Sequence, residues 1–170
     1  MDKHLSIYSR LKFFQAVITP TILFGLTSCA LTAQQLESLD VLQRKMLRNI
    51  VGWVRIPTED WSDTMRRMRE KVNAALQIYP MQPWSSEYLR RQFRMVCRFA
   101  KRPDEWAMRV SHWKPRETNE DAYRKRGRPA TRWDDRLNEF ARWMWDTVNW
   151  QTTCVFPDFP KQENEFVQFH

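Results

Sequence analysis

Apolar residues recur three and four positions apart along nearly the whole chain, and no segment alternates apolar with polar over a strand's length. That periodicity dictates a mainly α fold, an irregular helical bundle with a basic connector and an irregular C-terminal tail. Thr32 and Gln35 form a capping-box pair, in which the hydroxyl takes an orphan N–H and the amide reaches back. Behind it Leu36, Leu39, Met46, Leu47 and Ile50 share a face, and Gly52 stands where a left-handed residue ends a helix. A second helix is predicted from Thr58, with the stripe Trp61, Met65, Met68, Val72, Ala75 and Tyr79, closed by Pro80 and Pro83. A third runs from about Ser85 to Ala100, with Leu89, Phe93, Val96, Cys97 and Ala100 inward. A short helix follows as far as about Val110.

The last predicted helix opens at Thr131-x-x-Asp134, a second capping-box match, and carries Trp133, Leu137, Phe140, Ala141, Met144 and Val148 on one stripe. Four regions result: a helical domain over 1–110, a basic connector over 111–131, a C-terminal helix over 132–150 and a tail over 151–170.

Glycine scarcity removes whole classes of chemistry. Gly25, Gly52 and Gly127 stand alone, whereas phosphate-cradling loops and dinucleotide fingerprints need several glycines within a few residues. Cys29, Cys97 and Cys154 are too dispersed for a disulfide framework, and neither they nor His4, His112 and His170 have zinc-site spacing. No cofactor and no metal are expected. Residues 13–30 imitate a secretory signal, but Gln15 and Pro20 break the apolar run, and no paired cysteines follow. A buried helical hairpin is the reading there. A nuclear or cytoplasmic chain is expected rather than a secreted or membrane-bound one.

The net charge of +8 is unevenly spread. Residues 1–133 carry 25 Lys and Arg against 13 Asp and Glu, and residues 134–170 carry 3 against 7. On the helix over 85–102 one face holds Arg90, Arg91, Arg94, Arg98, Lys101 and Arg102 against a single acid, Glu87. The connector holds Arg124, Lys125, Arg126 and Arg128, followed by Arg132. Arg44, Lys45 and Arg48 form a further cluster. Such concentrations suit phosphate neutralisation, although a basic helix face is equally often only a solvated face. The core Arg126-Gly127-Arg128-Pro129 resembles an AT-hook, whose arginines lie along a minor groove; a plain basic linker or import signal is the competing reading.

Asp134-Asp135 invites comparison with the paired carboxylates of a metal-dependent polymerase. In the first turn of an amphipathic helix the pair instead suits capping and the helix dipole. Three blocks carry a wider resemblance. Ile22-Leu23-Phe24-Gly25 with Cys29-Ala30-Leu31-Thr32 forms the first. Leu39, Gln43, Arg44, Lys45, Met46, Leu47, Arg48, Ile50 and Gly52 form the second. Arg124 to Asp135 forms the third. In this order they resemble the region after the polymerase palm in non-LTR (LINE-type) retrotransposon reverse transcriptases.

The chain departs from that pattern at Ala30, where a tryptophan is usual, and at Arg90–Arg94, where no Gly-His follows. The resemblance implies a thumb and post-thumb region without fingers, palm or catalytic carboxylates, and hence no catalysis by the chain alone. The implied partner is nucleic acid, as RNA, DNA or their hybrid, with a palm-containing polypeptide as a second partner and no membrane. The residues expected to touch nucleic acid are Arg44, Lys45, Arg48, Arg90, Arg94, Arg98, Lys101, Arg124, Arg126, Arg128 and Arg132. Two rival readings are a helical protein-interaction module using Trp143, Trp145 and Trp150, and an AT-hook-like DNA-binding protein.

Overall fold

The computed structural model describes residues 5–102, 106, 110, 133–147, 150–153 and 156–170. The fold is mainly α, with no strand among the described residues. Two compact units are present. The first comprises residues 1–26 and 32–88, and the second residues 27–31 and 89–170.

In the first unit, helix α1 is composite: Ile7–Phe13, a wide π segment Phe14–Ile18, and Thr19–Leu23. Pro20 explains the widening, because it has no N–H for the preceding turn and its ring crowds the carbonyl four residues back. Hydrogen bonds on either side of the proline hold the widened turn. The N–H of Thr19 reaches Phe14 O, and the Thr21 hydroxyl donates to Val17 O at 2.7 Å. Gly25, at φ 73°, turns the chain after this helix. The hairpin expected within 13–30 is therefore a single helix followed by a turn. Ile7–Ser28 is long and apolar enough to cross a membrane by length and composition alone. Leu11, Phe14, Thr19 and Leu23 are nonetheless buried, while Phe13, Val17 and Phe24 are exposed.

Helix α2 (Ala33–Ile50) begins with the complete Thr32–Gln35 capping box and ends before Gly52 at φ 87°, both as the sequence predicts. Its last turn is also capped from α1, where Arg10 donates to Ile50 O at 2.7 Å. Helix α3 (Trp61–Ile78) starts at Asp60, not Thr58; the Asp60 carboxylate accepts from Trp61 N at 2.9 Å. Met68, Val72 and Ala75 of the predicted stripe are buried, but Trp61 lies outside the core. Leu11, Phe14, Leu23, Leu47, Ile50, Val72, Ala75 and Trp84 form that core.

Helix α4 (Trp84–Ala100) opens in the first unit directly after Pro83. Two α2 side chains cap its start. Gln43 accepts from Trp84 N at 3.1 Å and donates to Gln82 O at 3.0 Å. Asp40 accepts from Ser85 N at 2.9 Å and from the Ser85 hydroxyl at 2.6 Å. The Trp84 indole stacks on Phe14 at 5.7 Å and donates to the Thr19 hydroxyl at 3.0 Å. Buried polar atoms must be paired, and here each finds its partner on another helix.

The second unit is built on aromatic rings. Phe93 of α4 stacks on Phe159 at 5.0 Å and packs against Phe166 at 5.2 Å and Phe140 at 6.3 Å. Helix α5 (Asp135–Trp145) supplies Phe140, and Trp145 stacks on Phe159. The short helix α6 (Trp150–Thr153) buries Trp150, and α7 (Glu163–Phe169) buries Phe166. Residues 151–170 are thus not an irregular tail throughout. Phe159 and Phe166 lie seven residues apart, but Pro160 and a break between two short helical segments interrupt the pattern that would reveal them. Trp145 and Trp150 face partners inside this unit, so of the three tryptophans proposed for protein binding only Trp143 remains exposed.

Gln43→Ala leaves the Trp84 N–H and the Gln82 carbonyl without their partner. It is expected to lower the unfolding free energy by about 2 kcal/mol in urea titrations, whereas Glu37→Ala on the exposed face of α2 changes it by under about 0.5 kcal/mol. Equal effects would contradict the assigned cap.

Candidate nucleic-acid interface

The two arginines of the predicted α2 cluster converge on one cleft. Gln43 and Leu47 point inward, which places Arg44 and Arg48, one residue further round the helix, at the boundary with α3. There they line an open cleft of about 520 Å³ together with Arg69 and Asn73 of α3. Leu47 and Val72 contribute its apolar lining. Among the described residues, no ion-pair partner lies beside Arg44, Arg48 or Arg69. One carboxylate, Asp40, also lines the cleft, where it accepts hydrogen bonds from Ser85; three guanidiniums against one carboxylate leave the cleft positive, and an anion there relieves the remaining repulsion.

Lys45 lines a second hollow of about 340 Å³ with Arg48, Asn49, Trp53, Trp61 and Met65. Arg48 and Met65 border both spaces, so the cleft and the hollow adjoin. Sequence reasoning missed Arg69, Asn73, Trp53 and Trp61. Arg69 and Asn73 lie four apart and just off the Met68–Val72 stripe, which was the available signal. Trp61 sits on the helical stripe, so periodicity assigned it to the core.

The loop bearing Trp53 is tied down by one cluster of charges. Arg67 forks onto the Glu59 carboxylate, with Nη2 at 2.6 Å and Nε at 2.9 Å, and also donates to Val54 O at 2.9 Å. The buried Thr64 hydroxyl donates to Glu59 at 2.7 Å. Hydrogen bonds from Arg67 and Thr64 hold the Glu59 carboxyl down at about 2, from an ordinary 4.5. The neighbouring acids are also engaged. Asp63 pairs with Arg66 at 2.6 Å, and Asp60 caps α3.

The other predicted contact residues fare differently. Arg94 forms a bidentate pair with Glu163 of α7 at 2.8 Å through both Nε and Nη2, and Arg90 approaches the same carboxylate at 3.5 Å. These two arginines tie α4 to α7. Arg98 is exposed on α4, and Lys101 is exposed just beyond its end. Arg124, Arg126, Arg128 and Arg132, and with them the AT-hook-like element, lie outside the described residues. Asp134 flanks the start of α5 and Asp135 lies in its first turn. Asp134 makes no capping bond there; it accepts from Asn138 Nδ2 at 3.3 Å. Among the described residues, no three His, Cys, Asp or Glu side chains are grouped as metal ligands.

Because the folded Glu59 carboxyl titrates below its unfolded value, its stabilising contribution is complete above about pH 4.5 and fades as pH falls toward about 2. The thermal midpoint of the wild-type chain should therefore exceed that of Glu59→Gln at pH 6, and the gap should close on acidification through that window. A gap independent of pH would contradict the pairing.

No family model matches the chain, and neither a curated protein nor a solved structure shows significant similarity to it.

Proposed function

We propose that the chain is a non-catalytic, nucleic-acid-binding helical protein that neutralises backbone phosphates in the cleft between α2 and α3. The observation that carries this reading is the convergence of Arg44, Arg48 and Arg69 on one open cleft whose lining holds a single carboxylate, Asp40, itself bonded to Ser85. Lys45 extends the positive surface into the adjoining hollow. Guanidiniums suit the task because each presents a planar fork of N–H donors that matches phosphate oxygens.

The role agrees with what the resemblance to the thumb region of LINE-type reverse transcriptases implies, namely a grip on template–product duplex. An A-form hybrid is recognised mainly through its shape and backbone, so sequence preference is weak. Exposed Arg98 and Lys101 add to the same long-range field, while Arg90 and Arg94 contribute mainly by joining α4 to α7. A palm-containing polypeptide remains the proposed protein partner, and the chain alone performs no chemistry on the duplex.

Binding of a blunt DNA–RNA hybrid, followed by fluorescence anisotropy across a salt series, tests the proposal. Affinity should fall steeply as salt rises from about 50 to 200 mM. Arg48→Ala should lower the slope of log affinity against log salt by about one, with no change in preference among sequences. No binding at about 50 mM salt, or an affinity indifferent to salt, would overturn the proposal.

A further inference from the structure

The hollow beside the phosphate cleft has a different chemistry from the cleft itself. Gly52, at φ 87°, ends α2 and sends the following residues outward, leaving Trp53 37% and Trp61 55% exposed. Val54 and Ile56 are exposed on the same loop. Apolar side chains grouped on a surface loop mark an interaction site more often than scattered ones do. The loop is nevertheless anchored, by Arg67 to Val54 O and to Glu59. The two indoles stand 6.0 Å apart at 59°, and the Arg55 guanidinium lies 6.0 Å from the Trp61 ring centroid.

Charge selects the occupant. Lys45 and Arg48 border the hollow, while the nearby carboxylates of Glu59, Asp60 and Asp63 are each committed to hydrogen bonds or ion pairs. A flat π face wanted by tryptophan, next to a phosphate wanted by Lys45 and Arg48, describes one ligand class: a nucleotide whose base is free of a pairing partner. The volume of about 340 Å³ lies within the ~300–1,000 Å³ typical of small-ligand sites. Asn49 supplies an amide able to both donate to and accept from a base edge. Paired bases present only their edges, so the hollow discriminates against continuous duplex.

We infer that Trp53 and Trp61 form a stacking site for an unpaired base, so that the protein binds nucleic acid at a junction between duplex and single strand. This rests on the proposed phosphate cleft, which shares Arg48 and Met65 with the hollow, so that backbone and base fall within one footprint. Stacking accepts any base because all four have a π face. The site therefore reads strand state rather than sequence.

The test compares a blunt DNA–RNA hybrid with the same hybrid extended by a short single-stranded overhang, at one salt concentration. The overhang should bind roughly tenfold tighter, the scale of one base–aromatic stack. Combined Trp53→Ala and Trp61→Ala should abolish that difference while blunt-hybrid binding persists with its steep salt dependence; Trp61→Phe should retain most of the difference. A fluorescent adenine analogue at the first unpaired position should be quenched on binding the wild-type chain, which decides the matter even where an alanine variant fails to fold. Equal wild-type affinity for the two hybrids, an unquenched analogue, or a difference that survives in a folded double variant would overturn the stacking site and leave the phosphate cleft standing. Absence of binding to either hybrid would overturn both.

Discussion

Helix α4 begins with the backbone N–H groups of Trp84 and Ser85, and two side chains from α2 satisfy them. Gln43 reads both strands of the bend before α4, taking the Trp84 N–H and returning a hydrogen bond to Gln82 O. Asp40, one helical turn earlier, takes Ser85. Because hydrogen bonds weaken steeply with misalignment, this pair fixes the rotation of α2 about its axis. Once Gln43 is directed inward, Arg44 and Arg48 must come round to the α3 side. The register of the positive cleft thus follows from a buried amide.

Both ends of α2 are pinned as well, by the Thr32–Gln35 box and by Arg10 on Ile50 O. A helix held at its two ends and near its middle makes a rigid wall for a binding cleft, and rigid elements position side chains better than loops do. The loop beyond Gly52 gains comparable definition from the Arg67–Glu59 pair. In the second unit the corresponding work is done by rings, with Phe93 and Phe140 at the centre, and by Glu163 on Arg94. Two different devices, polar capping and aromatic packing, therefore serve the two units.

What the sequence made legible was local. The Thr32–Gln35 box and the left-handed Gly52 are written within three or four residues, and periodicity found Met68, Val72, Leu89, Phe93, Leu137 and Phe140 in their cores. What it concealed was distant. Asp40 and Gln43 meet Ser85 and Trp84 across 45 and 41 residues, and Arg94 meets Glu163 across 69. An arginine face therefore looked uniformly available when members of it, Arg90 and Arg94 among them, were engaged. Trp61 shows the opposite error: it keeps helical phase with a core stripe yet sits at the first position of α3, beyond the reach of the core. Of the candidate site, Arg44, Lys45 and Arg48 could be read directly, because they cluster within five residues beside the Met46–Leu47 stripe; Arg69 and the tryptophans needed the fold.

The central claim is that the α2–α3 cleft, rather than the α4 face, is the principal nucleic-acid surface. Hydrogen–deuterium exchange of the full chain with and without a DNA–RNA hybrid tests it directly. The account predicts that bound hybrid slows exchange over residues 44–54 and 61–73 more than over residues 90–101. Protection concentrated on 90–101, with 44–54 and 61–73 unchanged, would contradict it.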